Sequence, residues 1–109
     1  TLAATGLAAR VIGPQIIASG GVDNGLKAAK ALAMGATVAG CARPVLQACM
    51  RSGIDGVRTY LGTMVAAIRM AMALTGARSV LELRTVARVI GPELERWLTQ
   101  IDPVESTDD

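Results

Sequence analysis

The sequence predicts an α/β protein with parallel strands that belong to a larger sheet. Two short apolar runs, residues 15–18 and 36–40, end in glycine-containing turns, and a helical pattern follows each turn. The composition is 51% hydrophobic with one Trp, one Tyr and no Phe, so the core is made of small aliphatic side chains. Such side chains allow helices to pack closely on strands, as in layered α/β folds.

The first half of the chain predicts a helix, a strand, a helix and a strand. Residues 1–12 form the first helix, which ends at Gly13-Pro14 and has an apolar face of Leu2, Leu7, Val11 and Ile12. After strand 15–18, the sequence Asp23-Asn24-Gly25 supplies an N-cap for helix 26–34, whose apolar stripe is Leu26, Ala29 and Ala33. Because strand 36–40 follows directly, the two strands are expected to be parallel.

The second half is predicted to be helical. A short helix spans 44–50 with Pro44 at its first position, and a long amphipathic helix spans 56–75 and ends at Gly76. Ser79 to Glu82 has the pattern of a capping box in front of a helix over 80–89. A last short helix is predicted over 93–100, and the acidic residues 102–109 are predicted to be a disordered tail.

The two strands need neighbours that this chain does not contain. Both are predicted to be buried on both faces, and a lone parallel pair would leave backbone groups unpaired at its edges. We therefore expect the chain to complete a larger sheet, as a piece of a barrel does. The first residue is Thr1 rather than Met, which predicts either a fragment of a longer protein or a processed product.

Charge and rare residues exclude several classes of function. The net charge is +2 from 11 basic and 9 acidic residues without a basic run, which argues against nucleic acid and membrane partners. The sequence has no His, so no imidazole base or His metal ligand is expected. Cys41 and Cys49 form no CxxC pattern, and two isolated thiols predict a reducing, cytoplasmic location.

Both strand-end turns are typical of anion binding. Ser19-Gly20-Gly21-Val22 and Gly40-Cys41-Ala42-Arg43-Pro44 each lie between a strand and a helix, where free backbone N–H groups and the helix dipole favour an anion. A single such turn is more often only a tight turn, but two adjacent ones predict a phosphate site. Arg43 either contacts the phosphate with its guanidinium or uses only its backbone N–H.

The remaining polar residues have simpler interpretations. Cys41 is interpreted as a small core residue, and Asp55 and Glu82 are interpreted as helix caps. No pair of carboxylates suggests acid–base catalysis. The other arginines of the helical half are interpreted as solvated helix faces: Arg51, Arg58, Arg69, Arg78, Arg84, Arg88 and Arg96.

Three stretches carry a family resemblance, namely residues 17–22, 25–36 and 40–44, and residues 72–76 and 82–83 extend it. They resemble FMN-dependent (β/α)8 barrels, in particular the type 2 FMN-dependent isopentenyl-diphosphate isomerases. The resemblance implies the C-terminal portion of a (β/α)8 TIM barrel, with the last two βα units and the C-terminal helices in residues 1–101.

The 2-hydroxy-acid oxidase and dehydrogenase family shares this frame, and three positions separate it from the isomerases. The oxidases are expected to have Asp where this chain has Ala18, Arg where it has Asp23, and Gly where it has Ala42. Asp23 departs from the isomerases too, in which Arg is common. A carboxylate would repel a phosphate, so Asp23 is expected to point away from it or to serve as an N-cap.

The resemblance implies conversion of isopentenyl diphosphate to dimethylallyl diphosphate, with reduced FMN as acid–base catalyst, Mg²⁺ on the diphosphate and NAD(P)H as reductant. The cofactor residues it implies are Ser19, Gly20, Gly21, Val22 and Asp23 in the first turn, and Ala42 and Arg43 in the second. Catalytic and metal residues are expected upstream of this chain. The expected partners are the diphosphate substrate and either further copies of the protein or the remainder of the same barrel.

Two other hypotheses stay open at this point. The chain could be a quarter-barrel module without catalytic function, which would self-associate to cover its sheet edges whether or not flavin is present. It could also belong to another phosphate-binding barrel, such as a nucleotide or sugar-phosphate enzyme. That second alternative leaves the Thr75-Gly76 and Glu82-Leu83 matches unexplained.

Overall fold

A computed structural model describes residues 1–13 and 15–100 of the chain. The predicted tail, residues 102–109, lies outside the described residues, as does Pro14. The order of helices and strands in the first half is the predicted one. The elements are α1 Leu2–Ile12, β1 Ile17–Ala18, α2 Gly25–Ala33, β2 Val38–Ala39, α3 Arg43–Thr75, α4 Val80–Leu83 and α5 Pro92–Leu98.

The two strands pair in parallel, as predicted, but each is only two residues long. Ile17 pairs with Val38 and Ala18 with Ala39, and the N–H of Gly40 extends the ladder by donating to the carbonyl of Ala18 at 2.7 Å. The carboxyl ends of both strands therefore lie at one edge of the sheet. The two turns that follow the strands are adjacent as a result.

One face of this sheet is covered and the other is open. Ala18 is 3% exposed, whereas Ile17 is 72% and Val38 50% exposed. Successive strand residues point to opposite faces, so Ile17 and Val38 share the open face. Within this chain only one face of the sheet is buried, because its helices pack against one side only. Burial of both faces is expected of the larger sheet and stays a prediction.

Helix α2 packs against α3 at very short range. A Cβ added at Gly25 would overlap that of Ala67 and would lie 2.5 Å from the carbonyl oxygen of Met64. The absence of a side chain at Gly25 thus lets the first turn of α2 contact the α3 backbone. Farther along, Ala29 and Leu32 form a core with Ala77 and Leu83, and the partly buried residues Ile68, Ala71 and Met72 pack on it.

The predicted stripe of α2 is only partly right. Ala29 is buried, but Leu26 is exposed, and the buried residues of this helix are Gly25, Ala28, Ala29, Ala31 and Leu32. The helix contacts the sheet on one side and α3 and α4 on the other, and both contacts use small side chains. The large side chain of Leu26 therefore does not mark the buried face of α2.

Helix α3 contains both helices predicted for this region. The helical assignment runs from Arg43 to Thr75, but Ser52 (φ −143°, ψ 16°) and Gly53 (φ 61°, ψ −147°) have non-helical backbone angles. The segment therefore consists of two helices that meet at an interruption, close to the predicted division at residues 50 and 56. As predicted, Gly76 ends α3, in the left-handed conformation at φ 77°.

Helix α4 is shorter than predicted. The hydroxyl of Ser79 accepts from the N–H of Glu82 at 3.1 Å, which confirms this half of the capping box, but the helix ends at Leu83 instead of Val89. The next residue, Arg84, is not on a solvated helix face as predicted. Its Nη2 donates to the carbonyl oxygen of Ala36 at 3.2 Å, a contact that joins the end of α4 to the loop before β2.

Helix α1 has the predicted extent but a different buried face. Its buried residues are Thr5 and Gly6, whereas Val11 and Ile12, which the sequence assigned to the apolar face, are exposed. A Cβ added at Gly6 would lie 2.5 Å from Leu98 of α5 and 2.7 Å from Met34. Close contact at a glycine, rather than a stripe of large side chains, determines how α1 packs.

Candidate phosphate-binding site

The first turn follows β1 and depends on two consecutive glycines. Gly20 has φ 88° and Gly21 has φ 75°, a region that side chains with a Cβ rarely adopt. Val22 is buried and anchors the end of the turn, and the hydroxyl of Thr1 donates a hydrogen bond to the carbonyl of Gly20. Gly20 and Gly21 are themselves exposed.

The predicted cap of α2 is present, and the capping residue is Asn24. Its Oδ1 accepts from the N–H of Lys27 at 2.9 Å, which satisfies one of the free donors of the first helical turn. Asp23 instead forms an ion pair with Lys27, whose Nζ lies 2.8 Å from its Oδ1. The hydrogen bond from Lys27 holds the pKa of the Asp23 carboxyl below its usual value. The acid of the first turn is thus paired with a cation.

The second turn follows β2 and leads directly into α3. Ala42 is the N-cap residue and makes no side-chain capping bond. The N–H groups of Arg43 and Val45 belong to the first turn of α3 and have no partner within the helix. A Cβ added at Gly40 would lie 3.4 Å from the Cβ of Ser19, so the two turns contact each other.

The two turns line one cavity of about 830 Å³, within the usual size range of ligand pockets. Every residue that the sequence predicts as cofactor-binding lies on its wall: Ser19, Gly20, Gly21, Val22, Asp23, Ala42 and Arg43. The structure thus brings the whole predicted set together. Seven further residues complete the wall: Asn24, Gly40, Cys41, Pro44, Gln47, Arg51 and Tyr60.

Gln47 and Arg51 are wall residues that the sequence interpretation did not assign to the site. The interpretation of Arg51 as part of a solvated helix face is incomplete, because its exposed side chain also borders the cavity. The spacing of Arg43, Gln47 and Arg51 at intervals of four residues places them on one helix face. That spacing is visible in the sequence and could have identified both residues.

Tyr60 reaches the site from the helix after the interruption in α3. Its hydroxyl donates to the backbone carbonyl oxygen of Asp23 at 2.6 Å. Partial burial, followed by the effects of nearby Cys41 and Asp23, raises the pKa of the Tyr60 phenol. A contact between residues so far apart in sequence leaves no local signal, so the sequence could not have revealed it.

The chemistry of the wall suits an anion. The residues at the starts of two helices and two arginines, Arg43 and Arg51, line the cavity, while the lining acid Asp23 is paired with Lys27. Within residues 1–13 and 15–100, no three His, Cys, Asp or Glu side chains group into a possible metal site. Across the same residues, no helix has the length and hydropathy that crossing a membrane requires.

Comparison with known sequences identifies a family that the chain matches. The family model described as FMN-dependent dehydrogenase matches residues 3–88 of the chain. The match therefore includes both strand-end turns and the helices that follow them.

Individual relatives share one description, isopentenyl-diphosphate delta-isomerase. The protein of Thermococcus kodakarensis is 48% identical over 85 residues, which is 78% of this chain and 23% of the relative. That of Pyrobaculum aerophilum is 44% identical over 86 residues, with the same shares. That of Pyrococcus furiosus is 46% identical over 85 residues, 78% of this chain and 22% of the relative. The chain therefore spans less than a quarter of the length of these relatives.

Proposed function

We propose that the two strand-end turns of this chain, which belongs to the FMN-dependent dehydrogenase family, bind the phosphate group of FMN. One observation carries the proposal: the turns 19–23 and 42–43 line the same cavity. In (β/α)8 barrels a phosphate is commonly bound by the loops after the last two strands and the N-terminus of a short helix. The helix that begins at Arg43 has the corresponding position in this chain.

The first turn fits a phosphate because its backbone is accessible. A Cβ added at Gly20 or Gly21 would meet only the hydroxyl of Thr1, at 3.7 and 3.9 Å, and otherwise open space. An anion can therefore approach the N–H groups of the turn, which a side chain would cover. In this proposal residues 19–23 bind the phosphate chiefly through backbone N–H groups.

The second turn contributes the N–H groups of Ala42 and Arg43. Of the two roles considered for the Arg43 side chain, its position on the cavity wall supports direct contact with the phosphate. No carboxylate of the described residues forms an ion pair with it. A guanidinium that lacks a competing carboxylate can donate two parallel hydrogen bonds to a phosphate.

The chain would then form the last two βα units and the C-terminal helices of a (β/α)8 barrel. The open face with Ile17 and Val38 supports this, since barrel strands carry helices on one side and face the barrel interior with the other. Residues 1–101 would belong to that barrel. The remainder of the barrel, or further copies of the protein, would cover the open face and the strand edges.

For the complete protein we propose isomerisation of isopentenyl diphosphate to dimethylallyl diphosphate. The isomerases that match this chain at 44–48% identity support the assignment. Bound FMN in its reduced form would supply the acid–base group for this reaction. Mg²⁺ for the diphosphate and NAD(P)H for reduction belong to the same proposal, and no residue of this chain is assigned to either.

Oxidation of a 2-hydroxy acid is the second candidate, because the matching family model is described as a dehydrogenase. Ala18 and Asp23 argue against it, since the oxidases are expected to have Asp and Arg at these positions. Both candidates use the same phosphate site, so flavin binding does not distinguish them. The two candidates are distinguished by whether the complete protein converts isopentenyl diphosphate or oxidises a 2-hydroxy acid.

A chimera tests the phosphate proposal and the isomerase proposal separately. Residues 3–88 of this chain replace the homologous segment of the Thermococcus kodakarensis isomerase, and the purified chimera is examined by flavin absorbance and by isomerase assay. We expect bound FMN and measurable isomerisation. A folded chimera that binds no FMN would contradict the phosphate site, and one that binds FMN without isomerisation would contradict only the assignment to the isomerases.

A further inference from the structure

The cavity wall extends along α3 beyond the turn that holds Ala42 and Arg43. Arg43, Gln47 and Arg51 all line the cavity, and their spacing by four residues puts them on one face of the helix. At ~1.5 Å of rise per residue, the Cα atoms of Arg43 and Arg51 are about 12 Å apart along the helix axis. The wall therefore carries a second guanidinium, two turns from the first.

The side chain of Arg51 makes one hydrogen bond to its own helix. Its Nε donates to the carbonyl oxygen of Gln47 at 3.4 Å. This contact leaves the two terminal amino groups available as donors. Arg51 also borders a second hollow of about 540 Å³, which it shares with Tyr60 and residues around the interruption of α3. Arg51 therefore lines both cavities.

Arg51 forms no ion pair among the residues that the structure describes, although Asp55 lines the second hollow with it. Among residues 1–13 and 15–100 the structure has one ion pair, between Asp23 and Lys27. Asp23 is also the acid that lines the cavity. Arg43 and Arg51 therefore give the wall a net positive charge, which favours a phosphate monoester with its charge of about −2 near neutral pH.

We propose that Arg51 is a second cation of the phosphate site, acting from the face of α3 while the two turns bind the phosphate through N–H groups. This role rests on the proposed function, the binding of the FMN phosphate. Its contribution is charge attraction, which in 0.15 M salt is screened over ~8 Å and reaches farther at low salt. The effect of Arg51 should therefore depend on ionic strength and on the phosphate.

Arg51→Gln tests this role, and Arg58→Gln is the matched control. Arg58 is exposed on α3 just after its interruption, it lines neither hollow, and its replacement changes the net charge equally. Dissociation constants for FMN and riboflavin are measured by quenching of flavin fluorescence at low and high salt. We expect Arg51→Gln to weaken FMN binding about fivefold at low salt and less than about twofold at high salt.

Riboflavin, which has no phosphate, should bind Arg51→Gln and the unaltered chain equally, and Arg58→Gln should change FMN binding less than about twofold. Arg51→Lys should retain most of the FMN affinity, because it keeps the charge. Thermal unfolding of each variant checks that the fold is intact.

Three results would overturn the role of Arg51. If the unaltered chain prefers FMN to riboflavin but Arg51→Gln and Arg58→Gln have equal FMN affinity, Arg51 has no part in the site. The proposed function then stands. If Arg51→Gln weakens FMN and riboflavin alike, its effect is structural. If the unaltered chain binds both flavins equally, the proposed function fails, and the role of Arg51 fails with it.

Discussion

The hydroxyl of Tyr60 donates a hydrogen bond to the backbone carbonyl of Asp23 at 2.6 Å. Asp23 ends the first strand-end turn, and Tyr60 lies after the interruption of α3 at Ser52 and Gly53. This bond connects the first turn to the second of the two helices that make up α3. The orientation of the N–H groups of residues 19–23 therefore depends on a distant side chain.

Tyr60→Phe should weaken FMN binding without weakening riboflavin binding. The substitution removes one hydrogen bond, worth about 1 kcal/mol, and hence about fivefold in affinity if the turn becomes misaligned. Titration calorimetry with the two flavins measures the effect. Equal loss of affinity for both flavins would show instead that Tyr60 only supports the fold.

The same hydrogen bond predicts that its contribution to FMN affinity is lost at alkaline pH. A phenolate cannot donate, and burial raises the pKa of Tyr60 above 10.0. The folded state thus holds this proton more tightly than the unfolded state, so the contribution is complete below pH 10 and is lost as pH rises through the raised pKa. The measurement is the ratio of the FMN affinity of the unaltered chain to that of Tyr60→Phe, taken from neutral pH upward. This ratio should fall toward one in that window. A constant ratio would contradict the assignment.

Asp23→Asn should strengthen FMN binding about two- to threefold at low salt, because it removes the negative charge of the cavity wall and releases Lys27. Glu93→Gln is the control, since Glu93 is exposed on α5 and lies outside the cavity. Because Lys27 lowers the pKa of Asp23 below 3.8, the difference should persist through neutral pH and vanish only as pH falls through that lowered pKa. Weaker FMN binding by Asp23→Asn would indicate that Asp23 orders the turn.

Gly21→Ala and Gly62→Ala should have opposite effects on stability. Gly21 has φ 75°, where a Cβ costs on the order of 1 kcal/mol, and its change should also weaken FMN binding. Gly62 lies within α3 with nothing near an added Cβ, so Ala there should stabilise the helix by about 0.5–1 kcal/mol. Denaturant unfolding of both variants checks the signs. Retained FMN affinity in Gly21→Ala would argue against an approach of phosphate to the turn.

Much of the geometry of the candidate site was predictable because its signals are local. Glycines after a strand, Asn24 before a helix and Pro44 in the first turn of a helix each determine backbone geometry within a few residues. The parallel strand pair then follows from the βαβ order, and it brings the two turns together. For these features sequence and structure agree.

The failures concern contacts between distant segments. The buried faces of α1 and α2 are determined by Gly6 and Gly25, where a partner helix approaches closely, and the hydrophobicity pattern of one helix does not report such an approach. Tyr60 reaches Asp23 across the fold, and Arg84 reaches the carbonyl of Ala36. Helix α4 ends at Leu83, before the predicted end at Val89, and its C-cap is Arg84, the residue that makes this distant contact.

The difference in affinity between FMN and riboflavin tests the phosphate site most directly. The two flavins differ only in the phosphate, and calorimetry on the unaltered chain measures both. The phosphate site proposed at residues 19–23 and 42–43 predicts that FMN binds at least about tenfold more tightly, which is about 1.4 kcal/mol. Equal affinity for the two flavins would contradict it.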